Sequence, residues 1–258
     1  MSILDTIVEQ KRVEVLQRKQ EYPLSRLSSL DNYRRKTNAM RIPEGLPGII
    51  AEFKRKSPSR GPIHMDADVV EVATAYEAAG ASAMSILTDR TFFGGSFGDL
   101  RQVRESCPEL ALLRKDFIID PYQLHEASAY GADMVLLIAA ILDRREVQEL
   151  ALEAASLGLH ILFEVHHRKE LEKFHPEIRY VGVNNRDLKT FKVDTGRSFE
   201  LIADMPAGVV PVSESGLSQP EEIKKLWDAG YQLFLMGESF MKEKDPGAAC
   251  RLLINSLI

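Results

Sequence analysis

The chain is poor in cysteine, with two in 258 residues, and it has a single tryptophan. Cys107 and Cys250 stand alone, so neither a disulfide framework nor a cysteine metal site is expected, and a reducing cytoplasm is the expected compartment. Long hydrophobic runs are missing. The longest, residues 134–142, is nine residues, too short to cross a bilayer. Neither charge sign dominates: 33 Lys and Arg stand against 38 Asp and Glu, for a net charge of −5. That balance argues against nonspecific nucleic-acid binding but leaves room for a local basic pocket that takes a small anion. There is no Gly-x-Gly-x-x-Gly or Walker loop, so nucleotide cofactors have no support. His166 and His167 are adjacent, which on a strand sends them to opposite faces, and no other His or Cys spacing suits a metal. The opening Met1-Ser-Ile-Leu-Asp5, followed by alternating charges through Lys19, does not resemble a signal peptide. No Pro/Gly/Ser-rich linker divides the chain, so one domain is expected.

Eight short apolar segments recur, at residues 48–54, 81–89, 110–117, 134–141, 160–165, 180–185, 208–215 and 232–239. Most are continuously apolar rather than alternating, as strands buried on both faces of a parallel sheet are. Amphipathic stretches lie between them, among them residues 68–79, 121–130, 143–157, 194–204 and 219–229. Gly80, Gly131, Gly158 and Gly230 each follow such a stretch, where a helix C-terminus calls for a left-handed residue. Asp120-Pro121 and the Pro220 region carry helix-start chemistry. The expected fold is α/β, a (β/α)8 TIM barrel over residues 48–258, with a doubly wound open sheet as the alternative. Residues 1–47 form a helical extension in which Ile3, Ile7, Val8, Val13 and Leu16 outline a stripe. The extension serves either as a lid or plug on the barrel or as a dimerisation helix.

Chemistry collects at the expected strand ends. Residues 50–60 place Glu52, Lys54 and Lys56 at every second position, hence on one strand face. That face is either a solvated edge or a charged site inside a barrel, where unpaired charges are costly. Strand three ends on Lys115, strand five on Glu164, strand six on Asn184 with Arg186 beyond, and strand seven on Glu214 and Ser215. A ring of lysines and glutamates at the barrel mouth supplies acids, bases and cations for an anionic substrate. Gly216 and Gly237 follow strands seven and eight, where barrels often bind phosphate through backbone N–H groups; both also fit ordinary turns. The Glu238 side chain would repel a phosphate, so it is expected to point away. Phe93 and Phe117 suit either the core or an aromatic-binding pocket, and Trp227 suits the core.

Ile50-Ala-Glu-Phe-Lys-Arg-Lys-Ser-Pro-Ser59, Leu113-Arg-Lys-Asp-Phe117, Gly182-Val-Asn-Asn-Arg-Asp-Leu188 and Ser213-Glu-Ser-Gly216 resemble the indole-3-glycerol-phosphate synthase family, and the resemblance covers essentially the whole chain. It implies a lyase of tryptophan biosynthesis that closes the indole ring of 1-(2-carboxyphenylamino)-1-deoxyribulose 5-phosphate with loss of carbon dioxide and water, using no metal or organic cofactor. It further implies Lys115 as general acid at the ketone, Glu164 as the acid–base group of dehydration, and Lys54 at the substrate carboxylate. Glu52 and Asn184 would position hydroxyls and lysines, with Glu214 and Ser215 as seventh-strand members of the site. Gly216, Gly237, Ser57 and Arg186 would serve the phosphate end, and Pro58, Phe93, Phe117 and Leu136 would enclose the aromatic ring. The expected partner is a small phosphorylated aromatic substrate, with no nucleic acid and no membrane, for a monomer or weak homodimer. An isomerase of a phosphoribosyl-arylamine, or a non-catalytic barrel that binds a phosphorylated metabolite, are the rival readings. Lys56 is expected beyond the rim.

Overall fold

The protein is described by a computed structural model covering residues 3–187 and 190–258. The last residue of the Gly182 motif, Leu188, lies outside them. Eight parallel strands form a closed barrel rather than an open sheet. They are β1 (Gly48–Phe53), β2 (Ala83–Leu87), β3 (Leu112–Lys115), β4 (Met134–Ile138), β5 (His160–Val165), β6 (Tyr180–Asn184), β7 (Val210–Glu214) and β8 (Leu233–Met236). Closure is visible in β1, where Ile50 is paired with Ala83 on one side and Leu235 on the other. All the strands except β5 are shorter than the apolar segments that announce them. Lys54, Ser215 and Gly237 therefore fall one residue past their strands, where the ladder ends and the chain turns into the βα loops.

The two-residue period of a strand divides the barrel into two cores. Ile49, Ala51 and Phe53 point outward into the large cluster shared with the helices, while Ile50 belongs to the interior cluster. Leu113, Leu136, Leu162, Val212 and Leu235 fill that interior from the other strands. Glu52, Lys115, Glu164 and Glu214 each lie two residues beyond one of these interior residues. The same alternation that builds the apolar plug thus delivers charged groups to its upper surface.

Helices cover the outside. Val69–Ala79 begins at Asp68, whose side chain accepts from the Val70 and Glu71 amides, and Arg144–Ser156 begins with a capping box of Asp143 and Glu146. Such caps satisfy amides that a helix start leaves unpaired. The fifth βα unit departs from the pattern, with only a 3-10 helix, Arg168–Lys173, after β5. Trp227 is partly buried against the outer core. No helix among the described residues is long and apolar enough to cross a membrane.

Residues before β1 touch both ends of the barrel. Met40 joins the interior cluster from below, while α1 (Ile3–Glu21) brings Ile3, Leu4 and Ile7 to the mouth. The buried stripe of α1 differs from the expected one: it is Ile7, Lys11 and Val15, and Val13 and Leu16 are 61% and 64% exposed. Lys11 explains the difference. It is buried, and its ammonium lies 2.9 Å from Asp89 and 2.9 Å from Asp116, just past the ends of β2 and β3. Burial alone would push this lysine down, but Asp116 and Asp89 outweigh it and hold its pKa above the ordinary value.

Candidate active site

The mouth encloses a cavity of about 690 Å³. Every residue the sequence marked for the site lines it except Glu214. Glu214 sits beneath Lys115, buried at the end of β7, and its Oε2 lies 2.6 Å from the Lys115 ammonium. Lys115 also reaches Glu164 at 3.3 Å, across the barrel from β3 to β5. Nearer β1, the Lys54 ammonium donates to Glu52 at 2.6 Å. Of the two readings of residues 50–60, the charged site inside the barrel is the one the structure adopts, for Glu52 and Lys54. Lys56 leaves that face: it enters a short antiparallel ribbon, Lys56–Ser57 with Gly61–Pro62, and its Nζ donates to the Thr91 carbonyl at 2.8 Å.

Burial and mutual charge set the protonation of this cluster. Burial opposes the Lys115 charge, but Glu214, Glu164 and Glu52 outweigh it and raise its pKa, so Lys115 holds its proton at neutral pH. Burial raises Glu52 and Glu164 as well, yet Lys54 and Lys115 overcome this at Glu52, and Lys115, His166 and an Asn184 hydrogen bond do so at Glu164; both end below the ordinary value. Glu214 goes the other way. Burial, with Glu164 nearby, pushes it up to about 7 despite Lys115. One proton-rich ammonium thus sits among carboxylates of different basicity, a setting for acid–base chemistry.

One wall of the cavity is apolar. Phe93 and Phe117 face each other with ring centroids 6.1 Å apart, and Pro58 and Leu136 also line the space. Another part of the lining is polar. Arg186, Ser57, Ser215, Gly216 and Gly237 meet there. Ser215 and Gly216 both have positive φ, 68° and 79°, and a Cβ on Gly216 would come within 2.1 Å of Val193. A non-glycine residue in this region is a strained turn of the kind found at functional sites. The expectation for Glu238 is corrected: its carboxylate faces the rim cations, 2.9 Å from Arg60 and 3.3 Å from Arg186. Two guanidiniums neutralise it there, which removes the reason for it to turn away.

Four contributors escaped the sequence reading. A Cβ at Gly182 would come within 2.1 Å of Glu214 Oε1, so the missing side chain on β6 is what admits the Glu214 carboxylate. Arg60, at the end of the 50–60 stretch, reaches the rim and pairs with Glu238. Lys11 was legible as a charge at the i+4 position between Ile7 and Val15. His166 shares the Glu164 face two residues on, and its ring comes within 3.6 Å of that carboxylate.

The family model described as indole-3-glycerol phosphate synthase matches residues 4–253. A protein of that name from Bacteroides thetaiotaomicron is 45% identical over 257 residues, covering 99% of this chain and 98% of its own length. One from Verminephrobacter eiseniae is 43% identical over 259 residues, with 96% and 97% covered. Among solved structures, 3-hexulose-6-phosphate synthase from Salmonella typhimurium superposes with a TM-score of 0.65 at 11% identity, covering 81% of this chain and 98% of that one. That likeness concerns the fold alone, whereas identity above 40% along nearly the full length concerns the family. This chain belongs to the indole-3-glycerol phosphate synthase family.

Proposed function

We propose that the mouth closes the indole ring of 1-(2-carboxyphenylamino)-1-deoxyribulose 5-phosphate, releasing carbon dioxide and water to form indole-3-glycerol phosphate for tryptophan biosynthesis. The observation that carries this reading is Lys115, an ammonium held between Glu214 at 2.6 Å and Glu164 at 3.3 Å on the floor of a cavity with one aromatic wall. Lys115 donates its proton to the substrate ketone, which makes that carbon electrophilic enough for attack by the aromatic ring. Loss of the ring carboxylate as carbon dioxide restores aromaticity. Glu164 then acts as the acid–base group when the hydroxyl departs as water.

Lys54 binds the substrate carboxylate and orients the ring, since a cation held on a leaving carboxylate does little to help it depart. Glu52 keeps Lys54 in place, Asn184 hydrogen-bonds Glu164, and Glu214 steers Lys115 from below. Phe93, Phe117, Pro58 and Leu136 hold the aromatic ring. Gly216, Gly237, Ser215, Ser57 and Arg186 take the phosphate, with Arg186 released from Glu238 as the phosphate arrives. The test is to mix purified protein with the carboxyphenylamino-deoxyribulose phosphate and follow indole absorbance, fluorescence and carbon dioxide. Indole product and carbon dioxide in equal amounts are expected; folded protein that releases neither overturns the reading.

A further inference from the structure

Ring closure has a proton requirement that the occupied mouth does not meet by itself. The ketone oxygen leaves as water and so needs two protons. One comes from the methylene carbon next to nitrogen, which becomes a ring CH. The other comes from solvent, because the substrate carboxylate departs as neutral carbon dioxide. Each turnover therefore draws one proton from water while substrate fills the entrance.

His166 lies where such a proton could enter. It follows β5 two residues after Glu164 and is 4% exposed, and neither ring nitrogen has a hydrogen-bond partner among the described residues. Its Nε2 is 3.6 Å from Glu164 Oε1 and its Nδ1 is 3.8 Å from Glu170 Oε2. Moving the ring by roughly 0.7 Å brings Nε2 into hydrogen-bond range of Glu164, a tightening often seen when catalytic groups engage. The Glu170 carboxylate is anchored, since its Oε2 accepts the His166 amide at 2.5 Å and the His167 amide at 3.2 Å. Behind the ring is a second cleft of about 500 Å³, lined by His166 with His167, Arg168, Asp194, Arg197 and Glu200. Glu164 lines the mouth and His166 lines the cleft, so this pair spans the wall between them.

The groups facing the ring are Glu164 from β5, Glu170 from the 3-10 helix, Arg197 from the helix Gly196–Leu201, and His167 beside it. Burial, aided by Arg197 and His167, outweighs the two carboxylates and holds His166 below its ordinary value. The imidazole is neutral at neutral pH, with one donor and one acceptor nitrogen, as a relay requires. An orphaned ring also turns over without breaking hydrogen bonds.

We propose that His166 passes solvent protons from the outer cleft to Glu164, a positioning residue that acts through Glu164 without touching substrate; the inference rests on the function proposed above. As Nδ1 of His166 takes a proton from a hydronium ion or buffer acid in the cleft, Nε2–H passes its proton to the Glu164 carboxylate, which then delivers it to the departing hydroxyl. The methylene proton returns to the Lys115 amine that had protonated the ketone, and a flip of the imidazole restores the starting tautomer.

The test compares His166→Ala and His166→Gln with the wild type in steady-state kinetics, with and without added imidazole. In His166→Ala kcat is expected to fall about tenfold or more with KM within about twofold, and imidazole restores kcat in proportion to its concentration while leaving the wild type unchanged. Glutamine can still donate to Glu164 but cannot relay, so His166→Gln stays slow. A His166→Gln variant with kcat within about twofold of wild type overturns the relay, because orientation then suffices. So does His166→Ala that imidazole fails to rescue, and if His166→Ala does not fold, His166→Gln decides. Absence of indole product from the wild type would instead sink the proposed function itself, so the two failures are distinguishable.

Discussion

Buried charges gather at both ends of this barrel, and the two groups behave differently. At the base, Asp133 precedes β4 and is fully buried. It accepts from the guanidiniums of Arg35 and Arg104, and the backbone amides of Asn38 and Leu112 each donate to it at 2.7 Å. Arg104 spends its remaining donors on the carbonyls of Gly131, Pro108 and Leu110. No side-chain valence of Asp133 is idle, which is how a buried ion pair avoids the full desolvation penalty. At the mouth, one lysine is shared between Glu164 and Glu214, and among the described residues Glu214 Oε1 and both nitrogens of His166 have no hydrogen-bond partner. The residue types are similar and both clusters are buried. The base has an unpartnered atom too, Arg35 Nε, so what separates structure from chemistry is that at the mouth the unfilled capacity belongs to a carboxylate and an imidazole around an open cavity.

The sharpest test of that contrast exchanges the costs. Lys115→Ala is expected to lower kcat by about 10²–10⁴-fold while the protein stays folded, measured by product formation and thermal unfolding. Lys54→Ala should act mainly on KM, raising it about 10–100-fold, the worth of a hydrogen bond to a charged group. Near-normal turnover in folded Lys115→Ala would break the assignment of the mouth.

Asp133→Ala should do the reverse. Leaving Arg104 buried without its carboxylate is expected to cost about 3–5 kcal/mol in denaturant unfolding, with kcat of the folded fraction within a few-fold of wild type. If Asp133→Ala silenced turnover without loss of stability, the two ends would not differ as argued.

The smallest effect concerns pH. Glu214 is pushed up to about 7 when folded, against an ordinary value of 4.5. Between those values the folded protein binds the extra proton, so stability falls as pH rises through the window. Glu214→Gln carries no titrating carboxylate and should flatten that slope by an amount on the order of 2 kcal/mol, read by unfolding at pH 5 and pH 8. A slope identical in wild type and variant would mean that Lys115 keeps Glu214 ionised throughout.

Much of the mouth was legible along the chain because a strand repeats every two residues. Glu52 and Lys54 follow Ile50 on one face, and the ends of β3, β5, β6 and β7 carry Lys115, Glu164, Asn184 and Glu214 in plain view. The stripe on α1 differs from the expected one because Lys11 stands between Ile7 and Val15, and contact with Asp89 and Asp116 makes that position an interior one. Glu238 was misjudged for the matching reason: its two arginines come from residue 60 and residue 186, remote in sequence.

Local pattern thus determined the eight strands, most of their helices, and which strand ends carry acids and bases, because periodicity and capping act between near neighbours in the chain. Tertiary structure alone decided how those groups are paired. The sequence does not show that Lys115 rests on Glu214, that Gly182 makes room for it, or that His166 joins the mouth to a second cleft. Those relations depend on closure of the barrel, which brings β3, β5 and β7 together across an interior from which bulk water is excluded. A charge in that interior has its pKa set by whichever opposite charge the fold places within a few ångströms.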